Sequence, residues 1–178
     1  ESELKKPGIM LDRVWITKIA YYVPSFARFY HDKKRYAEER AALRVMYEFL
    51  GQRGPDWHFQ WIDNLVLDGK LEQARSALAA LQRDFPAHYK ARLAEGLLLR
   101  AEGNREGALD AMIEAVQIRP DAFRPRLELA ATYRAAGEPD HFKEELTQAR
   151  KNAGTLRDLH LLQNRFPRDL QAVARQVF

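Results

Sequence analysis

Residues 89–122 decide the fold, and they read YKARLAEGLLLRAEGNREGALDAMIEAVQIRPDA. Apolar residues recur in the first half at the three- and four-residue spacing of one helix face, and Gly103 follows them. A second stretch, rich in alanine, then ends at Pro120. The segment is therefore expected to form two helices joined by a tight turn.

Parts of this segment recur every 34 residues along the middle of the chain. Gly103 has counterparts at Gly69 and Gly137, and Pro120 has one at Pro86. The same interval relates three further sets: Leu65, Leu99 and Tyr133; Ala74 and Ala108; Ala115 and Ala149. A fixed period of about 20 to 50 residues is typical of solenoids, in which each unit buries its apolar face on its neighbour. We interpret the repeated positions as packing residues rather than as a site.

The repeating unit resembles the tetratricopeptide repeat (TPR) family, whose unit is a pair of antiparallel helices about 34 residues long. The residues that carry the likeness are Gly96, Leu99, Gly103, Ala108, Ala115 and Pro120; Leu65, Gly69, Ala74, Leu78 and Pro86; and Leu129, Ala130, Tyr133, Gly137, Leu146 and Ala149. The outer units match less closely, because Ile62, Leu81 and Phe142 stand at small-residue positions and Gly154 replaces Pro.

This resemblance implies an all-α fold, a right-handed superhelix of antiparallel helix pairs. Three repeats are expected at 55–88, 89–122 and 123–156, with helix pairs over 55–86, 88–120 and 122–153. Solenoids need a polar-backed end, so residues 157–178 are expected to form capping helices. Thr155 is the predicted N-cap of the first capping helix, and Pro167 begins the second, which continues through Val173 and Val177.

Residues 1–54 carry no repeat position and are predicted to form an irregular helical extension. Leu11, Trp15, Ile19 and Tyr22 share one helical stripe that is expected to end before Pro24. A longer amphipathic helix is expected over 36–50. Two interpretations of the extension stay open: a helical pair that covers the first repeat, or a docking or membrane-surface segment. For the second interpretation the candidate residues are Trp15, Phe26, Phe29 and Tyr30.

The composition disfavours several classes of function. The 178 residues include no cysteine, which excludes disulfides, thiolate metal sites and cysteine nucleophiles. The net charge is +4, and its excess falls in residues 1–54, which hold 11 basic and 7 acidic residues, against 18 of each in the rest. A concentrated basic face or a sheet with RNA-reading aromatics is not evident, so no nucleic-acid partner is expected.

The sequence offers no pattern for catalysis, and the chain is predicted not to be an enzyme and to need no cofactor or metal. The serines lie in no nucleophile elbow and near no histidine that could act as base. The histidines occur singly, without metal-ligand spacing, and the glycines form no phosphate-binding loop. The residues considered are Ser2, Ser25 and Ser76, and His31, His58, His88, His141 and His160.

A partner-binding groove is the candidate site. The resemblance implies that the first helix of each pair lines the concave surface of the solenoid. Lys90 and Arg124 share one repeat position and Arg100 and Arg134 share another, which predicts a two-by-two array of cations. The other predicted groove residues, expected to be open to a partner, are Leu93, Leu97, Leu127, Phe59 and Asp63. Such a groove favours an acidic and apolar segment or helix of a protein partner.

Three functional hypotheses follow. The first is an adaptor or scaffold in a larger bacterial assembly, and within it the N-terminal layout is similar to PelE-type proteins of exopolysaccharide secretion. In that case Lys5, Lys6, Arg13 and Lys18 would follow a membrane tether outside this sequence, which predicts a cytoplasmic location at the inner-membrane face. The second is a substrate-binding or regulatory repeat domain of an enzyme such as a glycosyltransferase or sulfotransferase. The third is a nucleic-acid-associated repeat protein.

Overall fold

The computed structural model describes residues 13–51 and 53–170, without the side chains of residues 13–19 and Phe49. Nine α-helices account for most of these residues, and no strand occurs in the two ranges. In chain order the helices are α1 (Arg13–Asp32), α2 (Tyr36–Leu50), α3 (Pro55–Leu67), α4 (Leu71–Asp84), α5 (Tyr89–Ala101), α6 (Arg105–Ile118), α7 (Phe123–Ala136), α8 (Pro139–Lys151) and α9 (Leu156–Arg165). The predicted all-α fold is confirmed.

The chain divides into two compact units, Glu1–Trp57 and His58–Phe178. In the second unit α5 packs against α6 and α7 against α8, while α4 packs against α5 and α6 against α7. Each second helix therefore contacts the first helix of the following pair, which is the stacking of a TPR-like α-solenoid. Helices α3 to α8 fall within the ranges expected for the three pairs, and α5–α6 and α7–α8 pack as pairs.

Glycine turns join the two helices of each pair. Gly69, Gly103 and Gly137 have φ angles of 72°, 86° and 80°. A residue with a Cβ atom rarely adopts this left-handed conformation, whereas glycine does so without steric cost. The 34-residue spacing of these glycines therefore records the spacing of the chain reversals.

Small residues allow the helices of the central pair to cross closely. A Cβ atom added to Gly96 of α5 would lie 2.7 Å from Met112 Cγ and 3.2 Å from the Ala108 carbonyl oxygen of α6. Ala108 and Ala115 are fully buried. The small residues predicted at this crossing therefore allow α5 and α6 to approach each other closely.

The third pair fills its crossing differently. Phe142 of α8 is buried where the repeat has Ala108, and its ring packs against Phe166 with 5.3 Å between ring centroids. Phe166 follows α9 and is itself buried, together with Leu162 and Leu146. The larger side chain is accommodated because the residues after the last repeat close the core around it.

Helix α9 starts at the predicted cap. The Thr155 hydroxyl accepts a hydrogen bond from Asp158 N at 3.1 Å, and the Asp158 carboxylate accepts one from Thr155 N at 3.0 Å. This reciprocal pair is a capping box and satisfies two donors at the helix start. Helical structure resumes at Pro167 and is described to Leu170. Its predicted continuation through Val173 and Val177 lies outside the described residues.

The first unit contains a helix pair, α1 against α2. Helix α2 has the predicted bounds and buries Leu43 and Met46. The expected end of the first helix before Pro24 is wrong, because α1 continues through Pro24 to Asp32. An internal proline costs a helix about 3 kcal/mol, and packing of α1 on α2, which buries Ala27, offsets this cost. The prediction for Leu11 falls outside the described residues.

Among the described residues, none of the helices combines the length and the apolar character needed to cross a membrane.

Candidate partner-binding surface

Five charged side chains from four helices meet on the side of the second unit that carries α3, α5, α7 and α9. We call them the Glu128 network: Asp63 of α3, Arg100 of α5, Arg124 and Glu128 of α7, and Arg165 of α9. Helices α3, α5 and α7 are the first helices of their pairs. Helix α9 comes directly after the last pair, where the first helix of a fourth pair would stand. The network therefore connects successive repeats along one side of the solenoid.

Glu128 is the centre of the network, and its side chain is only 1% exposed. Its carboxylate accepts hydrogen bonds from Arg100 Nη2 at 2.9 Å and from Arg124 Nε at 2.9 Å. Arg165 donates two more, from Nη1 at 2.7 Å and Nη2 at 3.0 Å, as a bidentate pair. Four charge-assisted hydrogen bonds thus hold one buried carboxylate.

Two further contacts extend the network. Arg124 Nη2 donates to Asp63 Oδ2 at 3.1 Å, which joins residues 61 positions apart. Arg100 Nη1 donates to the Thr132 hydroxyl at 3.2 Å. Arg124 also stands 5.8 Å from the centroid of the Phe59 ring, within cation–π distance. The first helices of the first and third repeats are therefore close enough to share an ion pair.

Charge around Glu128 controls its ionisation. Burial on its own would raise the pKa of Glu128, but the guanidiniums of Arg124, Arg165 and Arg100 outweigh burial and hold the pKa well below its ordinary value. Burial likewise acts to lower the pKa of Arg124, and the carboxylates of Asp63 and Glu128 reverse that effect, so its pKa is raised. Glu128 and Arg124 are consequently both charged at neutral pH.

The three leucines predicted to line the groove are buried in the structure. Leu93 and Leu97 are buried in the core around α4, α5 and α6, and Leu127 is buried in the core with Leu146 and Leu162. The expectation that they are open to a partner is wrong, because at these positions the first helix faces its neighbouring helices. Phe59 and Asp63 are also buried.

The four predicted groove cations are not an array of isolated charges. Arg100 and Arg124 belong to the Glu128 network. Arg134 forms an ion pair with Asp169 at 3.1 Å, not aligned as a hydrogen bond, and its guanidinium lies 5.7 Å from the Phe142 ring centroid. The Lys90 ammonium lies 5.6 Å from the ring centroid of its neighbour Tyr89. Their role in binding a partner stays a prediction.

Sequence reasoning missed Glu128 and Arg165, and a signal for Glu128 was present. Thirty-four residues before Glu128 stands Ala94, and 34 after it stands Leu162, both buried. An acidic residue at an otherwise apolar repeat position is a buried charge that needs cationic partners. Arg165 follows the three repeats, and the residues 34 and 68 positions earlier are Ala131 and Leu97, so no cation recurs at its position.

The predicted second docking surface lies on α1. Tyr21, Tyr22, Phe26 and Phe29 are 73%, 53%, 52% and 50% exposed, and sequence reasoning had missed the two tyrosines. Tyr30 is half-buried and contacts both phenylalanine rings, with centroid distances of 6.5 Å to Phe26 and 5.6 Å to Phe29. Trp15 belongs to α1, but its side chain lies outside the described part of the structure.

The described histidines and carboxylates form no group of three or more that could hold a metal ion. His31 instead pairs with Glu39 at 3.1 Å, and His141 pairs with Glu138 at 2.8 Å. In these two places the histidine side chain contacts one carboxylate.

No protein-family model and no curated protein matches this chain. Solved structures do match it. A thermophilic TPR protein of Thermus thermophilus aligns with a TM-score of 0.64 at 19% identity, over 88% of this chain and 89% of that one. The type III secretion chaperone SycD of Yersinia enterocolitica, solved with a peptide of the translocator YopD, aligns with a TM-score of 0.54 at 18% identity, over 69% of this chain and 94% of that one.

MamA of Desulfovibrio magneticus aligns with a TM-score of 0.51 at 13% identity, over 78% of this chain and 84% of that one. At identities this low, the structural alignments show a shared fold alone. The chain has the TPR fold. The helix pairs, the glycine turns and the small-residue crossing at Gly96 give the physical basis of that similarity.

Proposed function

We propose that this chain is a non-catalytic scaffold that holds a segment of a partner protein on the surface formed by α3, α5, α7 and α9. The observation that carries the proposal is the Glu128 network, in which three arginines from three helices converge on one carboxylate. The partner segment is acidic, because cations outnumber carboxylates on this surface. The four helices carry eight arginines and lysines and five aspartates and glutamates.

The arginines of the network retain binding capacity. A guanidinium carries five N–H donors, and Arg100, Arg124 and Arg165 each use two of them in the contacts above. About a third of each side chain is exposed, at 29%, 31% and 35%. A carboxylate of the partner is therefore able to bind the outer edges of these guanidiniums while Glu128 holds their inner edges.

The buried leucines reduce the apolar part of the proposed interface. The apolar anchor of the partner segment instead meets the half-buried ring of Tyr89, which lies beside Lys90 and within 5.6 Å of the Arg119 guanidinium. The SycD structure supports a protein partner, because SycD shares this fold and binds a peptide of YopD.

We place the scaffold in a bacterial assembly at the cytoplasmic face of the inner membrane, with exopolysaccharide secretion as the specific pathway. The support is the positive excess of residues 1–54, with 11 basic against 7 acidic residues, since positive charge near a membrane segment marks its cytoplasmic side. Fractionation of cells that express the tagged full gene product tests this part, and recovery outside the inner-membrane fraction would count against it.

A peptide-display selection on the purified protein tests the binding proposal. We expect the selected peptides to be enriched in Asp and Glu beside one apolar residue. The double variant Lys90→Glu/Arg134→Glu should weaken calorimetric binding of such a peptide at least tenfold, about 1.4 kcal/mol. Reversal of Arg100 is avoided, because it would place a second carboxylate against buried Glu128 and destabilise the fold.

The matched control reverses two exposed cations on second helices, Arg105→Glu/Lys143→Glu. The change in net charge is the same, so a loss of binding in both double variants would reflect long-range charge rather than contact. Selected peptides without acidic residues, or equal binding by wild type and the Lys90/Arg134 variant, would contradict the proposal.

A further inference from the structure

We propose that the exposed aromatic face of α1 is a contact surface for a membrane with anionic lipids, on which the helix lies in the plane of the interface. We call this surface the α1 aromatic face, and it consists of Tyr21, Tyr22, Phe26 and Phe29. It belongs to the first unit, Glu1–Trp57, whereas the proposed partner segment binds in the second. The inference therefore does not depend on the partner-binding proposal.

Helix geometry places these four rings together and away from α2. At about 100° per residue, Tyr21, Tyr22, Phe26 and Phe29 fall within an arc of about 140°. Buried Ala27 falls on the opposite side of the helix, and α1 packs on α2. The α1 aromatic face is thus the side that the helix pair does not use, and each ring is at least half exposed.

The charges along this helix and its turn are mostly positive. Residues 13–35 contain six basic residues, Arg13, Lys18, Arg28, Lys33, Lys34 and Arg35, and one acidic residue, Asp32. Arg28 and Lys33 are exposed, and Arg28 is adjacent to Phe29 in sequence. Arg35 is already engaged, because its guanidinium pairs with Glu38 and lies 5.1 Å from the Tyr30 ring centroid. Exposed Arg28, Lys33 and Lys34 therefore remain near the rings, with Asp32 as the one exposed carboxylate among residues 20–35.

The turn after α1 fixes the position of the lysines. Lys34 adopts a left-handed φ of 57°, its N–H donates to the His31 carbonyl at 2.9 Å, and Arg35 N donates to the Tyr30 carbonyl at 2.8 Å. This hydrogen-bonded end of α1 keeps Lys33 and Lys34 within about one turn of Phe29. Aromatic and cationic groups therefore form one continuous surface.

An anionic bilayer matches both properties of this surface. Aromatic side chains of an amphipathic helix enter the boundary between headgroups and acyl chains, and basic side chains are attracted to anionic headgroups. A protein partner would have to supply an apolar cleft with carboxylates on its rim, whereas anionic lipids supply both along any direction of the helix. The arrangement of rings and cations on α1 thus favours the lipid surface.

Vesicle flotation with the full chain tests this inference. The probes are vesicles of phosphatidylcholine alone and vesicles that also contain phosphatidylglycerol. We expect binding to the anionic vesicles that falls as salt is raised, and at least tenfold weaker binding to the neutral ones. The variants Phe26→Ser/Phe29→Ser and Arg28→Glu/Lys33→Glu should each weaken binding to anionic vesicles at least tenfold.

Matched controls are Leu156→Ser/Leu159→Ser, which removes two exposed leucines of α9, and Arg105→Glu/Lys143→Glu. Both should bind vesicles like wild type, and so should Lys90→Glu/Arg134→Glu, which separates this test from the partner-binding one. If the phenylalanine variant loses helical circular dichroism, the Arg28/Lys33 variant decides the test.

Equal binding to neutral and anionic vesicles, or wild-type vesicle binding by the Arg28/Lys33 variant, would overturn the inference. So would loss of a co-purifying protein from the phenylalanine variant while its vesicle binding is unchanged, because the α1 aromatic face would then be a protein-docking surface.

Discussion

Replacement of Glu128 by Gln removes one buried negative charge and leaves three guanidiniums facing an uncharged amide. Side-chain volume is nearly unchanged, so the variant tests charge rather than packing. Arg124 keeps its bond to Asp63 and Arg100 keeps its bond to Thr132, but Arg165 loses both of its contacts with a carboxylate. The variant should therefore destabilise the second unit and loosen α9 in particular.

The exposure of the arginines determines how much free energy of unfolding the Glu128→Gln variant loses. Loss of one member of a buried ion pair costs about 3 to 5 kcal/mol when the remaining charge stays buried. Glu128 is 1% exposed, but the arginines are 29% to 35% exposed and regain water on their outer edges. The cost should therefore lie at the lower end, about 3 kcal/mol. For a unit of this size that corresponds to a melting temperature lower by roughly 10 °C.

Urea and thermal denaturation followed by circular dichroism measure this cost, with Glu144→Gln on exposed α8 as the matched control. The control should change the free energy of unfolding by less than about 0.5 kcal/mol. A Glu128→Gln protein that melts within about 2 °C of wild type, less than about 1 kcal/mol on the same scale, would refute the account of the Glu128 network as a buried, mutually dependent set.

Three further predictions concern the same unit. The pKa of Glu128 is lowered in the folded state, so the stability that ionised Glu128 adds is present above the unfolded pKa near 4.5 and is lost as the pH falls below it. Wild type should therefore lose stability in acid more steeply than Glu128→Gln, and parallel stability curves of the two proteins in acid would contradict this. Gly96→Ala gains about 1 kcal/mol of helix propensity, but its new Cβ atom would lie 2.7 Å from Met112 Cγ. Overpacking of about 1 to 3 kcal/mol should therefore leave this variant less stable than wild type in urea, whereas Gly154→Ala, whose Cβ atom meets open space, should be neutral. Thr155→Ala removes the capping box of α9 and should cost about 1 kcal/mol, so an unchanged urea midpoint would mean that the cap adds nothing.

The sequence alone predicted the helix pairs because local chemistry defines them. Gly69, Gly103 and Gly137 occupy left-handed turns that few other residues tolerate, and Gly96 stands where two helices touch. Thr155 and Asp158 form the cap that their spacing indicates. Each of these features depends on residues close together in the chain or on one repeated crossing, so the 34-residue period was sufficient to locate them.

The site was less predictable because its contacts join distant parts of the chain. The bond between Arg124 and Asp63 spans 61 residues, and those between Arg165 and Glu128 span 37. Repeat positions placed the cations on first helices but could not show that carboxylates on other helices already pair with Arg100 and Arg124. The position of Leu93 was misjudged for a related reason, since periodicity does not distinguish the face toward a neighbouring helix from the face toward a groove.

Helix α1 shows the same limit in a local setting. Pro24 is a strong stop signal in an isolated segment, but α1 continues through it and packs on α2, which offsets the cost of the proline. That continuation puts Phe26 and Phe29 on the same helix as Tyr22, which turns scattered aromatic residues into one face.

Hydrogen exchange of the full chain, with and without an acidic peptide selected on it, tests the proposed function most directly. Binding on the first-helix surface predicts slower exchange concentrated in α5 and α7, at Tyr89–Ala101 and Phe123–Ala136, with little change in α6 and α8. Slower exchange confined to α6 and α8, or to α1, with α5 and α7 unchanged would contradict the proposal that this surface holds the partner.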